Sequence, residues 1–465
     1  MTDGPWQGDA CSLVEAFRAG ERSPAEEMEA TLAAVAASEL NAFSFVDEDS
    51  ARAKAAAADV AAPFGGVPFA VKELSNYEGW PATEACLLFR DRIADRTDTQ
   101  LERAERDGGV VPFGLATASE FGGLNVSVTK LNGVTHNPWR HGRTAGGSSG
   151  GSSAAGAGGL CPLASGGDGG GSIRIPAAFN GLPGMKGTAG RIPRGPQTWI
   201  SPMTVVAGVM ARSIRDIARY YDVAAGYDSR DPYSLPKVDT WEADLGSHRD
   251  DLRGRSVAIV PDLGVAVVRP EVADLVQASG EALARAAGLR VVDVDLRFPG
   301  LGYEWAMDNL SGLLADLGDR WPDGRDDLTP EIAFGLTMAE EHVDLASTAR
   351  GEQARVRANE TVAAAFDEVD LIICATNPDV AFPAEISANT RIGGERVGLE
   401  NNGALTIPYN IVGNPSLSLP IGLVDGLPVG MQVAALHHRD AWLLDLGLVW
   451  EAERPWPLTA PGSPV

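Results

Sequence analysis

The sequence predicts an α/β fold, a single large domain in which a central mixed β-sheet is covered by helices on both faces. Three observations carry that prediction. Short apolar runs of strand length alternate with longer helical patterns along the chain, the arrangement that builds a sheet flanked by helices. The 465 residues can bury a deep core, and a composition of 44% hydrophobic and 22% charged residues is that of a folded protein. No internal period of about 20–50 residues points to a solenoid.

Taken in order, Ser23-Pro24 followed by Glu26 reads as a capped helix start with proline in the first turn, continuing through MEATLAAVAAS. An Ala-rich helix follows over about Asp49–Ala62. VPFAVKE (Val67–Glu73) reads as a short buried strand with one lysine near its end. TQLERAERDGGVVPFG gives a helix, a glycine stop and another strand. Ser213 and Asp216 cap a helix through IRDIARYYDVAAG, and Tyr227–Thr240 turns polar and Pro-containing, a surface connection. SVAIV (256–260), LRVVDVD (289–295) and DLIICAT (370–376) read as strands separated by helical segments. SLSLPIG and VGMQVAA near the end read as two more strands of the same sheet.

Thirty-eight basic residues against 63 acidic ones give a net charge of −25, which disfavours contact with nucleic acid or anionic membranes. MTDGPWQGDACSL lacks an export signal, and no apolar run of about 18 residues occurs. A cytoplasmic location is expected. Cys11, Cys86, Cys161 and Cys374 form no CxxC pair and read as free thiols. No His/Cys/Asp ligand cluster predicts a metal, HExxH is absent, and Glu340–His342 reads as a solvated helix face.

The low-complexity segment Gly146–Gly171 overlaps the glycine-dense run GGDGGGSIRIP (Gly166–Pro176). A linker would carry more polar or proline residues than this segment, which contains Leu-Cys-Pro-Leu. A phosphate cradle fails on spacing, since GLPGMKGT places Lys186 between Met and Gly. G-x-S-x-G matches at Ser148 and Ser149, but NPWRHGRTA does not read as the strand a nucleophile elbow requires. That reading would recruit His437 or His438. SVTK (Ser127–Lys130) matches S-x-x-K without its partner motifs.

Three stretches together form a larger constellation: VPFAVKE with Lys72, AGGSSGGSSAAGAGG with Ser148, and SGGDGGGSIRIPAAFNGLPGMKGT with Ser172. This resembles the amidase signature family of serine hydrolases, whose two serines stand, as here, 24 residues apart. The likeness extends to the N-terminal helices, to DLIICATNPDVAFP and to YNIVGNPSLSLPIGLVDGLPVGMQVAA, and so covers most of the chain. The resemblance implies a Ser–cis-Ser–Lys triad of Ser172 as nucleophile, Ser148 as relay and Lys72 as base, with a cis peptide at Gly147–Ser148. It implies an oxyanion hole of backbone N–H groups at Gly169, Gly170, Gly171 and Ser172, with Asp168 and Arg174 holding the loop. A lysine can act as base only if burial keeps its amine neutral, and an apolar strand suits that need. Left to itself, Lys72 would pair with Glu73.

Family members usually carry Thr before the aspartate and Thr or a bulkier residue after it. Here the run is Gly167-Asp168-Gly169, which predicts a roomier pocket beside the oxyanion hole. Substrate contacts are expected from Glu120–Asn125, including Gly122, Gly123 and Leu124, and from about Leu301 to Glu341. The tryptophans, Met307 and Met338 there suit a bulky apolar or aryl group, and helix packing explains them equally well. The organisation implied is N-terminal helices over about 1–62, a signature core over 63–225, a variable pocket region over 226–368 and a C-terminal sheet and helix over 369–465. The implied function is hydrolysis of a small-molecule carboxylic amide, with esters and carbamates open to the same steps, no cofactor or metal, and a monomer or homodimer. The alternatives are an amidotransferase subunit supplying ammonia for tRNA-bound Glu, which works with a partner protein, and a non-catalytic binding protein on the same scaffold. The intact Lys72, Ser148 and Ser172 argue against the last.

Overall fold

The computed structural model describes residues 4–196, 204–238 and 240–465. Eleven strands make one mixed sheet: β1 (Phe43–Val46), β2 (Pro68–Lys72), β3 (Val111–Ala116), β4 (Leu163–Asp168), β5 (Gly184–Lys186), β6 (Val206–Ala211), β7 (Ser256–Ile259), β8 (Arg290–Val291), β9 (Leu371–Ala375), β10 (Ser416–Val424) and β11 (Leu427–Ala435). Their order across the sheet is β1-β3-β2-β4-β6-β5-β10-β11-β9-β7-β8. β2 runs parallel to both β3 and β4, and β7 runs parallel to β8 and β9. The other pairings are antiparallel.

Both faces of the sheet are covered. Side chains alternate across a strand, and the strands of this sheet feed two separate cores. Phe69, Val71, Val209 and Ala211 join one core, together with Ile214, Ile217 and Tyr220 of the Ile214–Ala224 helix. Ala70 and Met210 join the other, with Met28 and Leu32 of the Pro24–Ala37 helix and Ala154, Ala155 and Ala157 of the Gly150–Ala157 helix. All five residues of β2 are buried, which is why it reads as a continuous apolar run. Ser23 caps the Pro24–Ala37 helix in a complete capping box with Glu26, and Ser213 caps Ile214–Ala224 through the Asp216 N–H.

Four sequence expectations shift. The Ala-rich helix covers Glu48–Ala56 only. Beyond it the Asp59 carboxylate takes the Ala61 N–H and its carbonyl takes the Ala62 N–H, closing a turn instead of another helical turn. The expected strand over 289–295 shrinks to Arg290–Val291, because it lies at the sheet edge and pairs on one side only. The glycine-dense Leu163–Asp168 is a central strand, unpredicted because it has few side chains to show a period. Ile173 packs where those would be: a Cβ on Gly166 or Gly208 would lie 3.0 or 2.7 Å from its side chain. Finally, Arg140–Thr144 is a strand, paired with His136–Asn137 in a ribbon outside the main sheet. Position 239 of the expected surface connection, like residues 1–3 of the N-terminal stretch, lies outside the described residues. No helix among those described is long and apolar enough to cross a membrane.

Candidate active site

Lys72 is the last residue of β2 and is 4% exposed. Its N–H donates to Ser165 Oγ at 2.8 Å, fixing the strand end. Its Nζ lies 2.8 Å from Ser148 Oγ and 3.2 Å from the Gly167 carbonyl. Glu73 does not pair with it; that carboxylate instead accepts from Thr83 Oγ1 and Asn132 Nδ2, each at 2.6 Å. Burial pushes the Lys72 pKa down to about 7, against the pull of Asp168 and Glu84 in the other direction.

Ser148 follows a cis peptide at Gly147–Ser148. Only glycine fits before it: a Cβ on Gly147 would lie 2.5 Å from Val126 N and 2.6 Å from Leu124 O. The other serines of the block are committed elsewhere. Ser152 and Ser153 donate to the Ser165 and Pro176 carbonyls, and Ser149 faces the Gly167 carbonyl at 3.4 Å. Ser172 is 7% exposed, lines the same cavity as Lys72 and Ser148, and its Oγ has no partner among the described residues.

The loop after β4 is held from all sides. Asp168 and Arg174 are fully buried and paired, Arg174 Nη2 to Asp168 Oδ1 at 2.9 Å and Nε to Oδ2 at 3.0 Å. The remaining guanidinium donors reach Ser416, Gln432, Asn410 and the Thr406 carbonyl. Burial alone would raise the Asp168 pKa, but Arg174 outweighs it and holds the carboxyl well below its usual range. Asp168 Oδ1 also accepts the Gly171 N–H at 2.8 Å. That corrects one expectation, since the Gly171 donor is committed to the loop and not free for an oxyanion. The N–H groups of Gly169, Gly170 and Ser172 have no partner among the described residues.

The expected extra room is missing on the side after Asp168, whereas a Cβ at Gly167 would meet nothing nearer than the Val206 carbonyl at 3.7 Å. A Cβ at Gly169 would meet Val205 Cγ2 at 2.8 Å, and one at Gly170 would meet Trp305 Cζ2 at 2.8 Å. The small residues admit these two side chains against the backbone, so the volume is filled.

The cavity has a volume of about 1220 Å³. Gly122, Gly123, Leu124 and Asn125 line it, whereas Glu120 is buried and accepts from the Thr329 N–H and hydroxyl. Trp305, Met307 and Met338 line it from the Gly302–Leu317 and Pro330–His342 helices. The sequence did not single out Glu84, Phe89 and Arg92, which also line it; Glu84 and Arg92 form an ion pair at 3.0 Å. Glu84 has a φ of +52°, a backbone strain that no sequence pattern announced.

His437 and His438 do not line the cavity; His437 Nε2 contacts the Val412 carbonyl and His438 Nδ1 contacts Arg191. Ser127 donates to the Gly146 carbonyl and Lys130 to the Asp326 carbonyl, so these two do not act together. Among the described residues, Asp9, Cys11 and Asp216 come close enough to share an ion. Their carboxylates are taken by N–H groups of residues 10, 11 and 12 and by Ser213, which makes the cluster a helix cap. All four cysteines are free and buried.

The Amidase family profile matches residues 27–444. An acylamidase of Rhodococcus erythropolis is 31% identical over 408 residues, covering 85% of this chain and 82% of that protein. A glutamyl-tRNA(Gln) amidotransferase subunit from Lacticaseibacillus casei is 29% identical, covering 97% of this chain and 98% of that protein. The crystal structure of a bacterial aryl acylamidase of the amidase signature enzymes superposes with a TM-score of 0.89 at 26% identity, covering 97% of each chain. With its eleven-stranded mixed sheet and a match over nearly its whole length, this chain belongs to the amidase signature family and is a hydrolase of carbon–nitrogen bonds.

Proposed function

We propose that the protein hydrolyses carboxylic amides carrying a bulky apolar or aryl group, through an acyl-enzyme on Ser172. The observation that carries this reading is the buried Lys72 Nζ, unpaired with any carboxylate among the described residues, 2.8 Å from Ser148 Oγ in the cavity that Ser172 opens into. A serine hydroxyl is a weak nucleophile until a base takes its proton. As Ser172 Oγ bonds to the carbonyl carbon, its proton passes to Ser148 Oγ while the Ser148 proton passes to Lys72 Nζ. The oxyanion that forms meets the free N–H groups of Gly169, Gly170 and Ser172, each such donor being worth about 2.7–4 kcal/mol in the transition state. The proton returns by the same route to the amine as the C–N bond breaks. Water then repeats the sequence on the ester and releases the acid. Aryl esters and carbamates enter the same steps with easier leaving groups.

The substrate class rests on the cavity wall. Trp305, Met307, Leu310, Ile332, Phe334 and Met338 are apolar residues of the cavity lining, which suits an aryl or long acyl chain. The acylamidase and aryl acylamidase likenesses favour the same class. An ammonia-producing amidotransferase subunit is the second reading, favoured by the likeness to the Lacticaseibacillus casei protein.

The test is a kinetic comparison on aryl anilides, aliphatic amides and glutamine, with Ser172→Ala alongside. Anilide turnover abolished in Ser172→Ala, with a sulfonyl fluoride adduct on Ser172 by mass spectrometry, supports the proposal. Retention of more than a few per cent of kcat, or glutamine as the one substrate turned over, overturns it.

A further inference from the structure

The free donors of the loop after β4 are aimed by what holds the carbonyls behind them. In a trans peptide the C=O and N–H of one unit point in opposite directions, so a partner fixed on the oxygen sets the direction of the hydrogen. The Asp168 carbonyl accepts from Asn410 Nδ2 at 2.8 Å, which directs the Gly169 N–H. The Gly171 carbonyl accepts from the Ile175 N–H at 2.7 Å, which directs the Ser172 N–H. The Gly170 carbonyl is held by Thr406 Oγ1 at 2.6 Å, and the N–H of that unit is the one already given to Asp168. The remaining unit joins Gly169 to Gly170. Its carbonyl accepts from Trp305 Nε1 at 2.7 Å.

Trp305 differs from the other anchors in origin. It stands on the Gly302–Leu317 helix, in the variable region, and its ring lines the cavity. The same edge of the indole abuts the loop, where a Cβ on Gly170 would lie 2.8 Å from Cζ2. Glycine at 170 is therefore what allows the indole to reach the carbonyl.

We infer that Trp305 is a positioning residue for catalysis: its indole N–H fixes the Gly169–Gly170 peptide so that the Gly170 N–H faces the oxyanion. This inference rests on the reading of Ser172 as nucleophile. It makes the quality of the oxyanion hole depend on a helix that also contacts substrate.

The experiment compares wild type with Trp305→Phe, and with Trp305 replaced by benzothienylalanine, which keeps the two-ring shape and lacks the N–H. The readouts are kcat and KM on one anilide, and the inhibition constant of an arylboronic acid, whose adduct on Ser172 carries the charge of the tetrahedral intermediate. Loss of a whole donor costs about 100- to 1000-fold in kcat; a donor that remains but is no longer held should cost roughly 10- to 100-fold. The expected result is that loss in kcat with a parallel weakening of the boronate, and KM within about twofold of wild type. If both variants keep kcat and boronate affinity within about twofold, Trp305 does not position the donor. If KM rises while kcat and boronate affinity hold, Trp305 acts as a substrate wall alone and the inference falls. If the boronate fails to bind wild type, the reading of Ser172 falls, and this inference with it.

Discussion

Lys72 combines two demands that oppose one another. Its amine must be buried to stay neutral, and burial of an amine that would be charged in water costs stability. The folded pKa of about 7 lies below the ordinary 10.5, so between those values the unfolded chain binds the extra proton and stability rises with pH. Each pH unit in that window contributes at most about 1.4 kcal/mol. Lys72→Met should therefore unfold at a higher temperature than wild type near pH 7, and the difference should shrink as pH approaches 10.5. Thermal melts at pH 7, 8.5 and 10 check this; an advantage that grows with pH would contradict it. Activity should follow the opposite requirement. Wild-type kcat/KM should climb up to tenfold per pH unit below about 7 and level off above it. Lys72→Ala should lose several orders of magnitude and the titration with it, while His437→Ala and His438→Ala remain near wild type. Ser148→Ala should lose less than Lys72→Ala, because a water can bridge the gap.

At the scale of the element, the loop after β4 is a rigid piece whose shape is set by a buried ion pair and by glycine. Asp168 and Arg174 have no exposed side-chain surface. Replacing one partner leaves the other charge buried and alone, which costs about 3–5 kcal/mol. Asp168→Ala should show that loss in urea unfolding and should release the Gly171 N–H as well. A variant within about 1 kcal/mol of wild type would mean that water enters to solvate Arg174. Because the folded Asp168 pKa is depressed, its contribution is present above pH 3.8 and is lost on acidification below it. Gly171 has a φ of +128°, and a Cβ there would lie 2.5 Å from Ile175 Cδ1 and from Thr406 Oγ1. Gly171→Ala should thus cost about 1–3 kcal/mol of stability through backbone strain and abolish turnover by moving the neighbouring donors. Full activity in that variant would show the loop to be plastic.

At the scale of the whole molecule, the sheet places Lys72 at the cavity, and a satellite core stands beside that cavity. Leu317, Leu328, Ile332, Ala333 and Leu336 pack with Cys86 and Phe89 in a cluster separate from the two cores against the sheet. Leu336 is fully buried there. Leu336→Ala should cost about 2–5 kcal/mol locally, yet the Ser172 region, packed on other cores, should stay intact. The expected outcome is a raised KM for bulky anilides with an unchanged rate of Ser172 labelling by a small sulfonyl fluoride. Equal losses in both would mean that pocket and reacting groups form one cooperative unit. Chelators should leave activity unchanged, since the Asp9 and Asp216 carboxylates beside Cys11 already cap a helix.

The sequence by itself determined what depends on local pattern. The buried run VPFAVK, the capping residues Ser23 and Ser213, and the alternation of strands and helices are each visible within a few residues, because hydrophobic period and cap chemistry act at short range. Lys72, Ser148 and Ser172 were singled out by the resemblance of the stretches around them to the amidase signature family, each stretch being readable on its own although the three stand far apart. Only the tertiary structure decided matters in which partners lie far apart along the chain. Val205 and Trp305 fill the space that Gly169 and Gly170 leave, and Trp305 reaches the Gly169 carbonyl from 136 residues away. A glycine run reveals that backbone is approached closely; it carries no side chain to reveal by what. The Leu163–Asp168 strand was hidden by the same lack, Ile173 taking the place of a side chain at Gly166.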